Sequence, residues 1–187
     1  MRVTGGTARG VQIHSPSAKG VRPTTDRVRS ALFNILASKG IEGLAVVDLY
    51  AGTGSVGIEA LSRGASRVEF VENNRRQASD ILKNVSLAKV GDRAVIHCSK
   101  AADSLELLSG PFDLVLMDPP YSDPFPVGLL EQIFAKGLLN LNSLVVVGHS
   151  SRKAPPSTCG ELNLTQDRQY GDSGLAFYAN GQKRSQN

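Results

Sequence analysis

The segment LAVVDLYAGTGSVG, residues 44–57, carries the strongest structural signal in the chain. Residues 44–50 form an apolar run that predicts a buried strand. Three glycines follow the run, and the next element is a helix predicted for residues 55–63. A strand that passes through a glycine-rich turn into a helix is typical of α/β folds that bind ligands at one edge of the sheet.

The alternation of strand and helix continues beyond this segment. Further apolar runs predict strands at residues 67–72, 94–97, 112–117 and 144–148. Helices are predicted between them, at residues 74–88, 101–109 and 126–137. This order predicts a Rossmann-like α/β fold with a mostly parallel sheet and helices on both faces. Residues 161–179 lack helical periodicity and predict an antiparallel pair of strands at the sheet edge.

The first 40 residues differ in composition from the rest of the chain. Residues 1–23 are rich in Gly, Ser and Pro, and they predict a short hairpin or an irregular arm. A helix follows, capped by Thr24 or Thr25, and ends near Lys39. We therefore divide the chain into a basic N-terminal extension (1–40), a main domain (41–180) and a polar tail (181–187).

Composition and motif content argue against several classes of protein. The chain has 187 residues, of which 41% are hydrophobic and 20% charged, so it can bury one ordinary core. No apolar run approaches the roughly 20 residues of a membrane-spanning helix, and the N-terminus lacks the apolar stretch of a secretory signal. Cys98 and Cys159 show neither CxxC spacing nor histidine partners at metal-ligand spacing. We expect no disulfide framework, no metal site and no membrane partner, and a location in the reducing cytoplasm.

The net charge of +4 is unevenly distributed along the chain. Residues 1–43 hold seven basic and two acidic residues, whereas the remainder holds 14 basic and 15 acidic residues. A basic face on a nearly neutral body favours a polyanionic partner, and nucleic acid is the natural candidate. A solvated basic surface is an equally good interpretation of the charge alone.

Two acidic residues decide which cofactor the glycine loop suits. Gly52, Gly54 and Gly57 fit the dinucleotide pattern G-x-G-x-x-G. Glu72 follows at the spacing of an acid that binds ribose. However, Asp48 ends the strand before the glycines, and its carboxylate would repel a diphosphate. S-adenosylmethionine has no phosphate, so Glu72 would bind its ribose hydroxyls and Asp48 would lie near its sulfonium charge. Tight strand–helix packing is the alternative role of the glycines.

The tetrapeptide DPPY, residues 118–121, follows a predicted strand and so lies at the carboxyl edge of the sheet. Its two prolines restrict the backbone and keep the loop rigid. The Asp118 carboxylate and the Pro119 carbonyl can accept hydrogen bonds from the exocyclic amine of a base, which favours a more nucleophilic, pyramidal nitrogen. Tyr121 can stack on a flipped base. The pattern indicates methylation of such an amine, and an ordinary turn is the alternative.

The AGTG loop at 51–54 together with DPPY resembles the class I, S-adenosylmethionine-dependent amino-methyltransferases. Three further stretches narrow the resemblance, namely RPTTDRVR at 22–29, ALFN at 31–34 and GIEALSRGA at 57–65. With them, nearly the whole chain is similar to the bacterial 16S ribosomal RNA guanine-N2 methyltransferases of the RsmD family. The resemblance implies a class I methyltransferase sheet. It also implies methylation of one guanine in 16S rRNA, on the small ribosomal subunit or an assembly intermediate.

The resemblance implies roles for individual residues. The target base would be held by Asp118, Pro119, Pro120 and Tyr121. S-adenosylmethionine would be bound by Asp48, Tyr50, Gly52, Thr53, Gly54, Glu72, Asn73, Lys100, Ala101 and Asp118. RNA phosphates would be bound by Arg2, Arg9, Arg22, Arg27 and Arg29. No metal is implied, and a monomer is expected.

The chain departs from the family at the peptide expected to contact the adenine ring. Related enzymes often have Asp or Asn where this chain has Ser99 and Lys100, so a backbone carbonyl or Asp103 would read the adenine amine instead. The identity of the target base rests on the resemblance, because the motif chemistry fits adenine and cytosine amines equally well. The alternatives are a DNA or other RNA amino-methyltransferase (adenine N6), a dinucleotide-dependent oxidoreductase and a non-catalytic ribosome assembly factor.

Overall fold

The structure is a computed structural model that describes residues 1–15 and 26–180. Its helices are α1 (Asp26–Ala37), α2 (Ser55–Ser62), α3 (Arg75–Leu87), α4 (Ala101–Ser104) and α5 (Val127–Ala135). Its strands are β1 (Ala45–Leu49), β2 (Arg67–Val71), β3 (Ala94–His97), β4 (Phe112–Met117), β5 (Leu139–Ser150), β6 (Thr158–Cys159), β7 (Leu162–Tyr170) and β8 (Ser173–Asn180). The helix cap expected at Thr24 or Thr25 and the tail expected at 181–187 lie outside the described residues. Within the described ranges, no helix is long and apolar enough to cross a membrane.

The strands form one sheet in the order β3-β2-β1-β4-β5-β8-β7-β6. Strands β1 to β5 pair in parallel, whereas β8 pairs antiparallel with β5 and β7. The predicted mostly parallel sheet with antiparallel C-terminal strands is confirmed. Strand β1 lies between β2 and β4, so the strand order reverses at β1. In open α/β sheets, ligands bind beside such a reversal, at the carboxyl ends of the strands.

Two predicted elements differ in length from the structure. The helix expected at 101–109 is only α4, in which the Ser104 hydroxyl donates a hydrogen bond to the Ala101 carbonyl (2.8 Å) and the chain then turns away. The strand expected at 144–148 is the longer β5. Its apolar run marks only the part buried in the sheet, whereas backbone pairing with β4 and β8 extends the strand at both ends.

Side chains on the two faces of the sheet form two apolar clusters. Because successive strand residues face opposite sides, Val46 and Leu116 pack with α1, α2 and α3, whereas Val47 and Val115 pack with α4 and α5. Asp48 lies two residues after Val46 and therefore faces the side that α1 covers.

Residues 1–15 form a hairpin, the first of the two forms expected for this segment. Arg2 and Gln12 make an antiparallel bridge, and the Ile13 amide donates a hydrogen bond to the Met1 carbonyl (3.0 Å). Three apolar side chains of the hairpin are buried in the cluster that α1, α2 and α3 cover, namely Val3, Ala8 and Ile13. The hairpin is thus packed against the sheet domain.

A buried carboxylate fixes the hairpin to α2. Glu59 is fully buried, and it accepts hydrogen bonds from Thr4 N (2.8 Å), Thr4 Oγ1 (2.7 Å) and Arg63 Nε (2.8 Å). Arg29 Nε lies 3.8 Å from the same carboxylate, and Arg29 Nη2 donates to the Arg2 carbonyl. The hairpin, α1 and α2 therefore meet at one buried charge.

Replacing Glu59 with Gln deprives Arg29 and Arg63 of this negative partner. We expect Glu59→Gln to lower the free energy of unfolding by about 3 kcal/mol, because the buried Arg29 then keeps only the exposed Asp26 as a negatively charged partner. Urea unfolding measures the change. Glu106→Gln is the control, since Glu106 is exposed and pairs with Lys136 at the surface, and it should cost less than about 1 kcal/mol. A loss no larger than that of the control would contradict the anchoring role of Glu59.

Candidate active site at the carboxyl edge of the sheet

The glycine loop leads the chain from β1 into α2 through left-handed backbone at three positions, Tyr50 (φ 61°), Gly52 (φ 58°) and Gly54 (φ 76°). Tyr50 carries a side chain in this region, a conformation that costs energy and is concentrated at functional sites. The Ala51 amide donates to the Val71 carbonyl (3.0 Å), which ties the loop to β2. Burial raises the pKa of Tyr50, and the charge of Asp123 adds to the rise.

The glycines of the loop serve different purposes. A Cβ on Gly57 would lie 2.3 Å from Phe70 Cε1, so this glycine allows α2 to pack closely on β2. A Cβ on Gly52 would approach only Gln77 Oε1, at 3.6 Å, among the described atoms. The packing interpretation therefore applies to Gly57, whereas Gly52 leaves its backbone open to a ligand.

Glu72 is held directly after β2. Its Oε2 accepts a hydrogen bond from Gly52 N (2.8 Å), and its Oε1 accepts one from Asn74 N (2.7 Å). Its backbone carbonyl accepts from Ser99 N (3.2 Å), which brings the peptide at 99–101 alongside. Each carboxylate oxygen has a further lone pair, so Glu72 can also accept hydrogen bonds from a ribose diol. The glycine loop, Glu72 and this peptide form one cradle.

Asp48 is a buried carboxylate beneath the glycine loop. Its Oδ2 accepts a hydrogen bond from Gly57 N (2.9 Å). Burial raises the pKa of Asp48 to about 7, and the charges of Asp118 and Glu72 add to the rise, while the hydrogen bond from Gly57 opposes it. A cation bound beside Asp48 would favour the ionised carboxylate, so the site suits a positively charged ligand.

The DPPY loop, residues 118–126, joins β4 to α5. Asp48 pairs in parallel register with Leu116, so Asp118 lies two residues further along the neighbouring strand and on the same face. The Asp118 carboxylate packs against Gly148 of β5, where an added Cβ would lie 2.4 Å from Asp118 Oδ1. Gly148 therefore makes room for this carboxylate.

A cavity lies between α1 and the carboxyl ends of β1, β4 and β5, with a volume of about 360 Å³ that includes open solvent. Asp48, Asp118 and Tyr121 supply its polar groups, and Tyr121 is 40% exposed at the mouth. The remaining walls are apolar and include Val28 and Leu32 of α1. The sequence analysis missed these two residues, because their helical spacing is the same whether they face a core or a cavity.

The other residues expected to bind the cofactor lie around this cradle. Thr53 is buried, and its carbonyl accepts a hydrogen bond from Asn84 Nδ2 (2.9 Å). Asn73 and Lys100 are exposed. Ala101 begins α4, and its side chain is buried in the second cluster, so only its backbone can reach a ligand. Pro119 is buried and Pro120 exposed.

Arg29 was expected to bind RNA phosphates, and the structure corrects this prediction. Its side chain is fully buried. It lies 3.0 Å from Asp26 Oδ1 and 3.8 Å from Glu59 Oε2, and it also donates to the Arg2 carbonyl. A guanidinium enclosed in this way stabilises the packing of α1 and does not reach an external phosphate.

The other arginines of the extension differ in their distance from the cavity. Three of them are exposed, namely Arg2, Arg9 and Arg27. Arg27 adjoins Val28, which lines the cavity. Arg9 follows Ala8, whose amide donates to Ser62 Oγ (2.9 Å) at the far end of α2. Arg22 lies outside the described residues.

Two basic residues that the sequence analysis did not select lie near the site. Arg152 and Lys153 are exposed, directly beyond the carboxyl end of β5. Arg152 Nη2 lies 3.8 Å from Asp172 Oδ1, and both side chains are largely solvated. Two adjacent basic residues directly after a predicted apolar strand are the sequence signal that could have identified them.

The whole chain can be compared with known proteins. The family model described as Conserved hypothetical protein 95 matches residues 1–179. The ribosomal RNA small subunit methyltransferase D of Escherichia coli (strain K12) is 32% identical over 182 residues, covering 95% of this chain and 89% of that protein. The structure of the Escherichia coli protein yhhF matches 98% of this chain and 99% of its own, with a TM-score of 0.84 and 30% identity.

A more distant structure shares the fold alone. It is an RNA methyltransferase from Salinibacter ruber in complex with S-adenosyl-L-homocysteine, with a TM-score of 0.65 and 18% identity over 89% of this chain and 98% of that one. The sheet described above is therefore a class I methyltransferase sheet.

Replacing Asp48 with Asn removes a titration that opposes folding. The pKa of Asp48 is about 7 when folded and about 3.9 in an unfolded chain, so the folded state binds more protons between these values and stability falls as pH rises through them. We expect the free energy of unfolding of Asp48→Asn, relative to that of the parent at the same pH, to rise by about 2–3 kcal/mol from pH 5 to pH 8. Urea unfolding without ligand measures it. Asp92→Asn, at an exposed position, is the control, and parallel pH profiles for Asp48→Asn and the parent would contradict the assignment.

Proposed function

The chain belongs to the Conserved hypothetical protein 95 family, which is the RsmD family that its motifs resemble, and we propose that it methylates 16S ribosomal RNA. The reaction is transfer of a methyl group from S-adenosylmethionine to the exocyclic N2 amine of one guanine, on the small subunit or an assembly intermediate. The observation that carries the proposal is the pair of carboxylates, Asp48 and Asp118, at one apolar-walled cavity beside the glycine loop. The name of the Escherichia coli relative supports the choice of small-subunit rRNA.

The residues at the glycine loop fit S-adenosylmethionine. When bound, this cofactor supplies an electrophilic methyl group on a sulfonium and leaves as neutral S-adenosylhomocysteine. Glu72 has free lone pairs for the ribose diol, and the open backbone at Gly52 allows close approach. The positive charge of the sulfonium would stabilise the ionised form of the buried Asp48 carboxylate. The peptide at 99–101, held to Glu72 by the Ser99 amide, would contact the adenine.

The DPPY loop provides the groups that an exocyclic amine needs. The Asp118 carboxylate and the Pro119 carbonyl would accept hydrogen bonds from the two N–H groups of the amine. These bonds favour a nitrogen whose lone pair is localised and directed at the methyl group. Positive charge develops on this nitrogen during transfer, so the carboxylate gains most in the transition state. Asp118 would also take the proton that the methylated nitrogen loses. Tyr121, exposed at the mouth, would stack on the flipped base.

The exposed basic residues around the cavity suit the RNA backbone. Arg27 precedes the cavity-lining Val28 on α1, and Arg152 and Lys153 follow β5, whose Gly148 lines the cavity. RNA phosphates would bind these residues while the target base enters the cavity beside Tyr121. Arg2, Arg9 and Arg22 would extend the contact along the N-terminal segment.

Removal of the Asp118 carboxylate tests the mechanism. We expect Asp118→Ala to lower kcat on small subunits about 10³-fold, because the developing charge on nitrogen loses its acceptor. Cofactor affinity, measured by calorimetry, should fall far less than kcat, because the glycine loop and Glu72 still hold the cofactor. Asp123→Ala is the control, since this acid lies in the same loop but does not line the cavity. Near-normal turnover of Asp118→Ala would contradict the mechanism.

Charge removal beside the cavity tests the RNA path. The variant Arg27→Ala, Arg152→Ala, Lys153→Ala should bind small subunits more weakly. A plot of log association constant against log salt concentration should also become less steep by about 2, at about 0.7 per lost phosphate contact. The control Lys39→Ala, Lys83→Ala, Lys136→Ala has the same net charge. Lys83 on α3 and Lys136 after α5 form ion pairs with Asp80 and Glu106, and Lys39 lies beyond the end of α1 that is farther from Arg27. Equal slopes for the two variants would remove these residues from the interface.

A further inference from the structure

The DPPY loop is held at a second point beyond its catalytic tetrapeptide. Phe125, near the end of the loop, is half-buried on the face of the sheet opposite the cavity. Its ring contacts His149 of β5 edge-on, with centroids 6.3 Å apart, and Tyr178 of β8, with centroids 5.9 Å apart. The loop is therefore attached to two antiparallel strands that lie outside the glycine-loop half of the sheet.

His149 is a fixed support for this aromatic ring. It is 6% exposed, and both ring nitrogens have partners, with Nδ1 3.0 Å from the Ser150 carbonyl and Nε2 2.9 Å from Asp167 Oδ1 on β7. The ring lies against Gly174, where an added Cβ would be 2.4 Å from Nε2. A ring enclosed by Asp167, the Ser150 carbonyl and the Gly174 backbone is restricted in its orientation.

Tyr178 is fixed in the same way on the other side of Phe125. It is fully buried, and its hydroxyl donates a hydrogen bond to the Pro156 carbonyl (2.8 Å). Burial raises the pKa of Tyr178, so the hydroxyl keeps the proton that it donates. Phe125 thus packs against two side chains that cannot turn away from it.

Adjacent residues of β5 contact the two ends of the DPPY loop. Gly148 faces the cavity and accommodates the Asp118 carboxylate, while His149 faces the opposite side and contacts Phe125. We infer that Phe125, held by Tyr178 and by His149, is a positioning residue that sets the place of Asp118 relative to the target amine. This inference rests on the proposed function. Neither Phe125 nor His149 lines the cavity, so they act through the loop and do not touch substrate.

Displacement of the DPPY loop should affect methyl transfer more than cofactor binding. In-line methyl transfer requires the amine and the methyl group in a narrow geometry, and a displacement of about 1 Å can cost about 10²-fold in rate. The glycine loop and Glu72 belong to other strands, so loosening the DPPY loop leaves the cofactor cradle intact. Loss of the anchor should therefore lower kcat and spare cofactor affinity.

Phe125→Ala tests the anchor. We expect kcat on small subunits to fall about 10–100-fold, with the dissociation constant for S-adenosylmethionine unchanged within about twofold. Phe125→Tyr keeps the ring and should restore kcat to within about threefold. Phe134→Ala is the matched control, because Phe134 is a partly buried phenylalanine against the same cluster but lies on α5, away from the loop. All rates are taken per folded molecule, from thermal melting of each variant.

Asp167 provides a second test that leaves the loop untouched. Asp167→Ala removes the acceptor of His149 Nε2 and should lower kcat about 10-fold, whereas Asp167→Asn keeps an oxygen there and should stay within about threefold. Unchanged kcat in both Phe125→Ala and Asp167→Ala would contradict the positioning role, as would an equal loss in Phe134→Ala. A parent protein that transfers no methyl group to small subunits would instead overturn the proposed function, and this inference with it.

Discussion

Two carboxylates, brought to one cavity by adjacent parallel strands, determine which ligands the site favours. Asp48 and Asp118 lie on the same face of the sheet, at the carboxyl ends of β1 and β4. Burial and neighbouring like charge oppose ionisation there, and they raise the pKa of Asp48 to about 7. This arrangement is unfavourable in the free protein. It becomes favourable when a positively charged cofactor and an N–H donor meet between the two groups, and both ligands of the proposed reaction have these properties.

The two ends of the chain support this cavity from opposite sides. At the N-terminal end, the buried Glu59 holds the hairpin and α1 to α2, and α1 then supplies the walls at Val28 and Leu32. At the C-terminal end, β7 and β8 hold the rings that contact Phe125. Neither end belongs to the cofactor cradle. In the proposed reaction, the parallel half of the sheet would thus bind the cofactor, while the appended segments would shape the space for the target base.

Much of the fold could be predicted because its signals are local. The strands are short apolar runs bounded by polar residues, and the glycine loop and DPPY each combine several chemical requirements within a few residues. Contacts between distant segments could not be predicted in the same way. Arg27 and Arg29 look alike in sequence, yet only Arg29 meets a buried carboxylate from α2. His149 gave no signal either, because its contacts Asp167 and Gly174 come from β7 and β8, two strands that join the sheet beyond β5 only in the folded chain.

The most direct test of the central claim is identification of the methylated nucleoside. Labelled methyl from S-adenosylmethionine would be offered to unmethylated small subunits, naked 16S rRNA and duplex DNA in parallel. We predict N2-methylguanosine in the small-subunit rRNA and no label in DNA. Label in DNA or on an adenine amine would contradict the proposed reaction. So would a protein that binds the cofactor but transfers no methyl group to any of these substrates.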